Sequence, residues 1–308
     1  MKKKEVMSYE VRKPLGVRIR RQKYLLMMLV PGIVWYIIFK YFPMLSLGLA
    51  FTDYGFRAKV SFIGLKNFSR LFSSSIFWNA FRNTLIISLA NIVFYFPVPL
   101  IVALMINELK SLRAKKGIQF LIYIPYFFSW VVVGSIFVNL LSPSSGPVNA
   151  VIKALGYKPI YFMANTKYFR GVIVLSYIWR QMGYGAVIYI AALTTVDSQL
   201  YEAATIDGAG HWGQLWHVTL PAIRSTVVTM LLLNLSHVLM IFEQILVMYN
   251  AAVYDVADVL QTYVYREGVL NGDIGYSIAV GMFTSIVSLT LVLSTNKLSS
   301  KFLEESVL

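Results

Sequence analysis

The sequence contains no cysteine, only three histidines and a small share of charged residues. Without cysteine, a disulfide framework, a thiolate nucleophile and a cysteine-ligated metal site are excluded. The three histidines are too scattered along the chain for a zinc site. Charged residues make up 14% of the chain and hydrophobic residues 57%, whereas a soluble domain carries about 25% charged residues. The composition therefore favours a protein whose solvent is the lipid bilayer.

Acidic residues are half as frequent as basic ones, 14 against 28, which gives the 308-residue chain a net charge of +14. A basic chain can bind nucleic acid, but in so apolar a chain the excess fits membrane topology better. Lys and Arg are retained in the cytoplasmic flanks of membrane helices. We therefore expect a lipid bilayer and no nucleic acid among the partners.

Six apolar segments are long enough to be membrane helices, which need about 20 residues to cross about 30 Å of hydrocarbon. They are Tyr24–Phe42, Thr84–Asn107, Ile118–Leu141, Gly171–Leu193, Ser225–Tyr249 and Ile274–Thr295. Prolines inside them are tolerated, because neighbouring helices can satisfy the freed backbone groups. The sequence predicts an all-α, polytopic membrane protein with about six transmembrane helices in residues 24–295, between tails 1–23 and 296–308.

The basic residues also predict the orientation of these helices. Nine lie in residues 1–23, four in the loop 108–117, and Lys297 and Lys301 follow the sixth segment, so both termini should be cytoplasmic. No small-x-small cleavage pattern follows the first apolar run, which argues against a cleaved signal peptide. The loop 194–224 must also be cytoplasmic, yet its only basic residue is Arg224. This departure indicates a special role for the loop.

The two long outer loops each contain an amphipathic pattern. Between Phe62 and Phe72, apolar residues recur at helical spacing, which fits either a helix lying in the membrane interface or a packed cap over the bundle. In the segment 142–170 a Ser-Pro-Ser-Ser-Gly-Pro turn precedes a predicted short helix from Val148 to Leu155.

The cytoplasmic loop is predicted to form two short helices around a glycine elbow. Residues 201–206 are good helix formers, and Gly208 and Gly210 then interrupt them. A second helix is predicted from about His211 to His217, stopping before Pro221. Such a compact, stiff knob could seat in a groove of a partner and transmit force.

The spacing Glu202-Ala203-Ala204, Gly208, Val218-Thr219-Leu220-Pro221 resembles the signature E-A-A-x3-G-x9-I-x-L-P of permease subunits in ATP-binding-cassette (ABC) importers. Val218 replaces the isoleucine of that pattern. The resemblance implies a type I ABC-importer permease architecture, in which this loop docks on the ATPase subunit. The implied coupling residues are Glu202, Ala203, Ala204, Asp207, Gly208, Leu220 and Pro221.

The resemblance extends over nearly the whole chain. Residues 62–68 are similar to the segment before the second helix of carbohydrate-importer permeases, and residues 249–266 to a polysaccharide and oligosaccharide branch that includes alginate importers. It implies an oligo- or polysaccharide cargo, with alginate or a related acidic saccharide as the candidate, in a bacterial cytoplasmic (inner) membrane. The implied partners are a second, homologous permease, two subunits that bind ATP and Mg, and an extracytoplasmic solute-binding protein. No cofactor is expected in this chain itself.

Polar residues within the predicted spans are candidates for the substrate path, because charge in the membrane is costly and usually faces a cavity or a partner. Arg180 and Glu243 are the charged pair, and they could instead hold each other as a structural clamp. The path candidates are Arg180, Asn234, Glu243 and Gln244. Further sugar-binding groups and rings are offered by Asn91, Tyr95, Tyr184, Tyr189 and Phe242.

Two other classes of membrane protein fit the sequence less well. An ion-coupled secondary transporter predicts several acids at the midplane and often inverted repeats, but only Glu243 lies deep in a span and no repeat is visible. A membrane enzyme needs a nucleophile with its base, or a metal motif, and Gly208-x-Gly210 lacks the lysine of a phosphate loop. We therefore predict a non-catalytic subunit driven by a separate ATPase.

Overall fold

The computed structural model describes residues 22–56, 60–236 and 239–303, and these residues are largely helical. Their β-structure is one antiparallel bridge between Thr52 and Phe62. The helices are α1 Lys23–Tyr36, α2 Lys66–Ser73, α3 Ser75–Ala90, α4 Pro97–Asn107, α5 Leu112–Tyr123, α6 Trp130–Leu140, α7 Pro147–Ala154, α8 Thr166–Leu193, α9 Ser198–Ile206, α10 His211–Gln214, α11 Arg224–Ser236, α12 Glu243–Met248, α13 Tyr254–Ala257, α14 Leu260–Tyr265 and α15 Ile274–Leu303. The fold class predicted from the sequence is confirmed.

The chain divides into an N-terminal unit that ends at Leu49 and a main unit that begins at Ala50. In the N-terminal unit, α1 continues through a π turn and a 3₁₀ segment, so that the helical stretch Lys23–Phe51 is 29 residues long. Residues 22–48 are exposed in the isolated chain although most of them are apolar. This is the pattern expected of a helix whose surroundings are lipid.

Two predicted spans of the main unit are continuous apolar helices, Ser75–Asn107 and Ile274–Lys297. The 28 residues of α8 cover the predicted fourth span. At 1.5 Å per residue such a helix exceeds the thickness of the hydrocarbon core. It carries Arg180 and Gln181 near its middle, so its polarity sets it apart from the other spans.

The predicted third span, Ile118–Leu141, is sharply bent. The helical stretch Leu112–Phe127 meets α6 at 102°, because Pro125 lies in a 3₁₀ turn and Ser129 caps the next helix by accepting from the Val132 N–H. With each bent pair counted as one span, up to five helices of the described residues meet the length and hydropathy requirements of a membrane span.

The predicted fifth span, Ser225–Tyr249, is also interrupted. Directly before this span, a 63° bend separates the helical stretch His211–Ala222 from Arg224–Leu235. Further on, α11 ends at Ser236 and α12 begins only at Glu243. The continuous apolar run in the sequence does not reveal these breaks.

The outer loops contain the short helices that the sequence predicts. In α2, Asn67 and Leu71 are buried while Phe72 on the same helix is exposed, so the helix packs as a cap and still presents an apolar face. The Asn67 amide donates to the carbonyls of Ala50 and Thr52 at 2.8 and 2.9 Å. The helix predicted between Val148 and Leu155 is confirmed as α7.

A polar network connects the segment around α13 to α3 and to the N-terminal part of α8. Asn83 donates to the carbonyls of Asp255 and Asp258 and accepts from Arg170. Asp258 in turn receives a forked pair of hydrogen bonds from Arg266, at 3.1 and 2.9 Å. Burial raises the pKa of the Asp258 carboxyl to about 6, although a hydrogen bond from a neighbouring hydroxyl opposes the rise.

Candidate functional site

A cavity of about 590 Å³ lies between α3, the π turn Asn91–Tyr95, α8 and α11. This volume is within the range of small-molecule sites. Its walls are formed by Ser88, Asn91, Ile92, Tyr95, Tyr126, Tyr177, Gln181, Tyr184, Ile188, Met230, Leu233, Asn234 and Ile241. Among the described residues, the wall therefore combines four tyrosines with amide and hydroxyl groups and contains no charged side chain.

A π turn contributes three of these residues, Asn91, Ile92 and Tyr95, to the cavity wall. The turn Asn91–Tyr95 joins α3 to α4 and is followed by Pro97 and Pro99, whose missing N–H groups disturb the regular helix. π turns inside α-helices are frequent at functional sites. Asn91 lines the cavity, and its buried Oδ1 has no hydrogen-bond partner in the described residues.

Close packing of α8 sets the width of the cavity. A Cβ at Gly183 would collide with the backbone carbonyl of Ile122, and one at Gly185 would lie 2.8 Å from the ring of Pro99. Glycine at these two positions lets α8 approach the end of α5 and the start of α4. The Tyr95 hydroxyl completes this wall by donating to the Gln181 carbonyl at 3.5 Å.

Aromatic rings form stacked platforms in the same wall. The rings of Tyr126 and Tyr184 stack with their centroids 4.7 Å apart and their planes at 10°. Tyr177 meets Tyr95 edge to face at 5.0 Å and lies parallel to Trp130 at 6.2 Å. Aromatic faces combined with amide groups can hold a ring that is apolar on its faces and hydroxylated at its edge.

The predicted path residues occupy different positions relative to the cavity. Asn234 lines it and donates to the Met230 carbonyl at 2.7 Å. Gln244 is buried away from the wall and donates to the Ile173 carbonyl and to the Ser176 hydroxyl, at 2.7 and 2.9 Å. Glu243 begins α12 and is exposed in the isolated chain.

Arg180 is half-buried next to the cavity and not in its wall. Its Nε donates to the Phe128 carbonyl at 2.9 Å. Its guanidinium carbon lies 4.8 Å from the ring centroid of Trp130 and 5.7 Å from that of Tyr126. Among the described residues these are the partners of Arg180, so the suggested clamp between Arg180 and Glu243 is not formed in this conformation.

The further sugar-binding candidates are divided as well. Asn91, Tyr95 and Tyr184 line the cavity, whereas Tyr189 is fully buried in the core and Phe242 lines a separate apolar pocket. Sequence reasoning missed four polar or aromatic wall residues, Ser88, Tyr126, Tyr177 and Gln181. The spacing of Tyr177, Gln181, Tyr184 and Ile188 by three or four residues on α8 is a signal that could have revealed one face of that helix.

The loop 194–224 forms the predicted elbow. Asp197 caps α9 by accepting from the Gln199 N–H at 2.9 Å. The helix ends where Gly208 takes a φ of +82° and the Ala209 N–H bonds back to the Ala204 carbonyl at 2.8 Å. This is a glycine C-cap, which side chains with a Cβ adopt only with strain.

The second half of the loop differs from the prediction. After α10 the chain forms a π turn, Leu215–Thr219, and stays helical through Leu220–Ala222. Pro221 therefore does not stop the helix; it lies in the first turn of this last segment, where a missing N–H costs nothing. The break comes at Ile223, next to the 63° bend.

Two side-chain hydrogen bonds join the arms of the elbow. The hydroxyls of Tyr201 and Thr219 lie 3.0 Å apart, and the Gln214 amide donates to the Thr205 hydroxyl at 2.9 Å. Around them, Glu202, Ala203, Asp207, Gly208 and Pro221 are exposed, while Ala204 and Leu220 are partly buried.

Large apolar side chains on the same loop are also exposed. Ile206 is 86% exposed, Trp212 75% and Trp216 62%. The loop thus combines a fixed backbone with an uncovered apolar surface.

Comparison with known proteins identifies the family. Residues 96–303 match the family model described as "Binding-protein-dependent transport system inner membrane component". The chain belongs to this family. The match covers about two thirds of the chain and includes α8, α11 and the elbow, so it bears on both candidate sites, although α3 and the turn Asn91–Tyr95 precede it. The ion-coupled secondary transporter receives no support from it.

Relatives of known name cover nearly the full length. The chain is 42% identical over 307 residues to the polygalacturonan/rhamnogalacturonan transport system permease protein YteP of Bacillus subtilis, with 98% of this chain and 95% of the relative covered. It is 40% identical over 294 residues to protein LplB of the same organism, with 94% and 92% covered. These matches confirm a non-catalytic permease subunit of an inner membrane.

The fold is similar to that of a solved transporter chain. A crystal structure of a bacterial alginate ABC transporter, in complex with an alginate pentasaccharide-bound periplasmic protein, contains a chain that is 37% identical. The TM-score is 0.89, and the alignment covers 95% of this chain and 99% of that one. The ABC-importer permease architecture predicted from the sequence is confirmed.

Proposed function

We propose that the chain passes an oligo- or polysaccharide across the bacterial cytoplasmic membrane through the cavity between α3, the π turn Asn91–Tyr95, α8 and α11. The observation that carries the proposal is the composition of the wall, whose described residues supply tyrosine rings with amide and hydroxyl groups and no charge. A saccharide offers hydroxyls to the amides and apolar ring faces to the tyrosines. Asn91, Gln181 and Asn234 are the groups suited to bind its hydroxyls.

The cytoplasmic elbow couples this path to ATP hydrolysis in a separate subunit. Glu202, Asp207 and the glycine at 208 present polar and backbone groups, and Ala203 and Ala204 leave room for close approach, before Leu220 and Pro221 lead back to the membrane. The exposed Ile206, Trp212 and Trp216 add an apolar contact area. ATP and Mg are bound by two ATPase subunits, because this chain has no phosphate loop.

The arrangement in the membrane follows from the basic flanks, with both termini and the loop 194–224 on the cytoplasmic side. A second, homologous permease faces the cavity from the other side. The extracytoplasmic loops around α2 and α7 receive a solute-binding protein, as the complex of the similar alginate transporter suggests.

The cargo is an acidic saccharide. The names of YteP and of the solved transporter refer to polygalacturonan/rhamnogalacturonan and alginate, which are uronate-containing polymers. An alginate or pectin fragment therefore fits this chain better than a neutral sugar of the maltose type.

The test is substrate-stimulated ATPase activity and uptake in proteoliposomes that contain the complete importer. Oligogalacturonate, oligoalginate and maltotetraose are compared, each with the cognate binding protein. We expect stimulation by at least one of the uronates, and its loss in Glu202→Lys with normal membrane insertion. Stimulation by maltotetraose alone would contradict the cargo, and an unaffected Glu202→Lys would contradict the coupling role.

A further inference from the structure

Arg180 is held at the cavity in a fixed orientation that leaves most of its hydrogen-bonding capacity unused. Its Nε donates to the Phe128 carbonyl, and its guanidinium carbon lies over the rings of Trp130 and Tyr126. An arginine has five N–H donors, and four of them belong to the two Nη atoms. These Nη atoms have no hydrogen-bond partner in the part of the chain that the structure describes.

Arg180 is a cation that contacts the stacked tyrosines Tyr126 and Tyr184 at the cavity wall through the ring of Tyr126. Tyr126 contacts the guanidinium with its ring and also lines the cavity, where it stacks on Tyr184. In the described residues the wall itself has no charged group. Since the rings of Tyr126 and Tyr184 stack on each other, a saccharide in the cavity would contact this pair from outside the stack, next to the guanidinium that lies over Tyr126.

We propose that Arg180 is the carboxylate-binding residue of this path, which recognises a uronate by a forked pair of hydrogen bonds while the neutral wall holds the hydroxyls. The inference rests on the proposed function, since it names the chemical class that the cavity selects. A planar guanidinium matches the two oxygens of a carboxylate in a way that lysine does not. The fixed Nε and the stacked rings reduce the entropy lost when such a pair forms.

The competing explanation is that Arg180 only supports the bend between α5 and α6. Phe128 lies at the corner, and Tyr126 and Trp130 flank it, so the same contacts would brace the 102° turn. If Arg180 only stabilises the bend, its replacement should lower the uptake of every cargo equally. If Arg180 binds the carboxylate, its replacement should lower the uptake of charged cargo more than that of neutral cargo.

The experiment measures initial uptake by the complete importer in proteoliposomes, with oligogalacturonate and with its fully methyl-esterified form. The ester keeps the ring and hydroxyls and removes the charge. The affinity of the binding protein for each is measured first, and both are used at saturation. The variants are Arg180→Met, which keeps the apolar stem, Arg180→Lys, which keeps the charge without the fork, and Arg170→Met as a control on the same helix.

We expect Arg180→Met to lower uptake of the acid relative to the ester by about tenfold to hundredfold, the effect of losing a charge-assisted pair. Arg180→Lys should restore only part of this ratio. Arg170→Met breaks the contacts to Asn83 and Val256 at the outer network and should leave the ratio unchanged.

If Arg180→Met lowers the uptake of both cargoes equally and also lowers the melting temperature, the assignment is overturned and Arg180 only stabilises the bend. Full restoration by lysine would also overturn the forked geometry. If the unmodified importer takes up oligoalginate and not oligogalacturonate, the same comparison is made with oligoalginate and its methyl ester. If it takes up neither uronate, the proposed function fails, and this outcome is distinct from a failure of the Arg180 assignment.

Discussion

The hydroxyl of Tyr201 lies 3.0 Å from the hydroxyl of Thr219. This contact joins the two arms of the elbow in the loop 194–224, between residues 18 positions apart in the sequence. Tyr201 is on α9, whereas Thr219 ends the π turn that leads to α11. The second contact, between Thr205 and Gln214, lies closer to the glycine corner. Two side-chain hydrogen bonds therefore hold the two arms of the elbow together.

Removing the hydrogen bond between Tyr201 and Thr219 should make the elbow more flexible without unfolding the permease. In Tyr201→Phe only the hydroxyl is lost, and a partly buried hydrogen bond contributes about 0.5–1.5 kcal/mol. We expect fewer saccharides imported per ATP hydrolysed, measured as the ratio of uptake to phosphate release. Thr219→Val should have the same effect, and the double variant should add little to either single one. Additive effects would show that the two hydroxyls act independently.

Gly208 and Gly210 form a matched pair that tests the backbone of the elbow. A Cβ at either position meets no atom within 4 Å, but Gly208 has a φ of +82° and Gly210 one of −74°. Gly208→Ala should therefore cost about 1 kcal/mol through backbone strain alone. We expect it to lower substrate-stimulated ATPase activity severalfold, whereas Gly210→Ala should behave like the unmodified protein. Equal activity of the two variants would contradict a role for the left-handed corner.

The elbow could be predicted from the sequence because its determinants are local. A glycine after good helix formers specifies a C-cap, and the structure places the left-handed residue at Gly208. The prediction of a proline stop was wrong at Pro221, since the π turn before it supplies a helix that proline can begin. That turn has no clear mark in the local sequence.

The cavity was only partly predictable because it depends on which helix faces meet. In apolar spans every face resembles every other, so periodicity alone does not distinguish the wall of the cavity from the lipid surface. Asn91 and Asn234 were found because amides are conspicuous there, whereas Tyr126 reaches the wall only through the bend after Pro125. Arg180 is next to Gln181, yet a step of one residue turns it out of the wall and toward Phe128.

The polar network around α13 includes two asparagines of α3, Asn79 and Asn83, which donate to the same carbonyl of Asp255. We predict that their replacement by alanine has different effects on stability. Asn83 is buried and also accepts from Arg170, so Asn83→Ala leaves a cation and a buried carbonyl unsatisfied. We expect this variant to lose about 2–4 kcal/mol, seen as a lower melting temperature of the complex in detergent. Asn79→Ala loses one exposed hydrogen bond and should stay within about 1 kcal/mol. Similar losses would show that burial of Asn83 is not decisive.

Gly183 and Gly171 test whether close packing of α8 shapes the cavity. Both lie on the same helix, but a Cβ at Gly183 would meet backbone atoms of Ile122 and Tyr123, which cannot rotate away, whereas one at Gly171 meets nothing within 4 Å. Gly183→Ala should cost about 1–3 kcal/mol through overpacking and should reduce saccharide uptake, because α8 carries Tyr184 outward with it. Gly171→Ala should be neutral, or stabilising by up to about 1 kcal/mol through helix propensity.

The two alanine variants are compared by melting temperature and by uptake at saturating substrate. A drop in both quantities for Gly183→Ala alone supports the packing argument, since the substitution adds the same methyl group to the same helix in each case. A Gly183→Ala importer with unchanged uptake would show that α8 can shift without disturbing the path. In that event the width of the cavity would have to be set by α11 and the π turn at Asn91 instead.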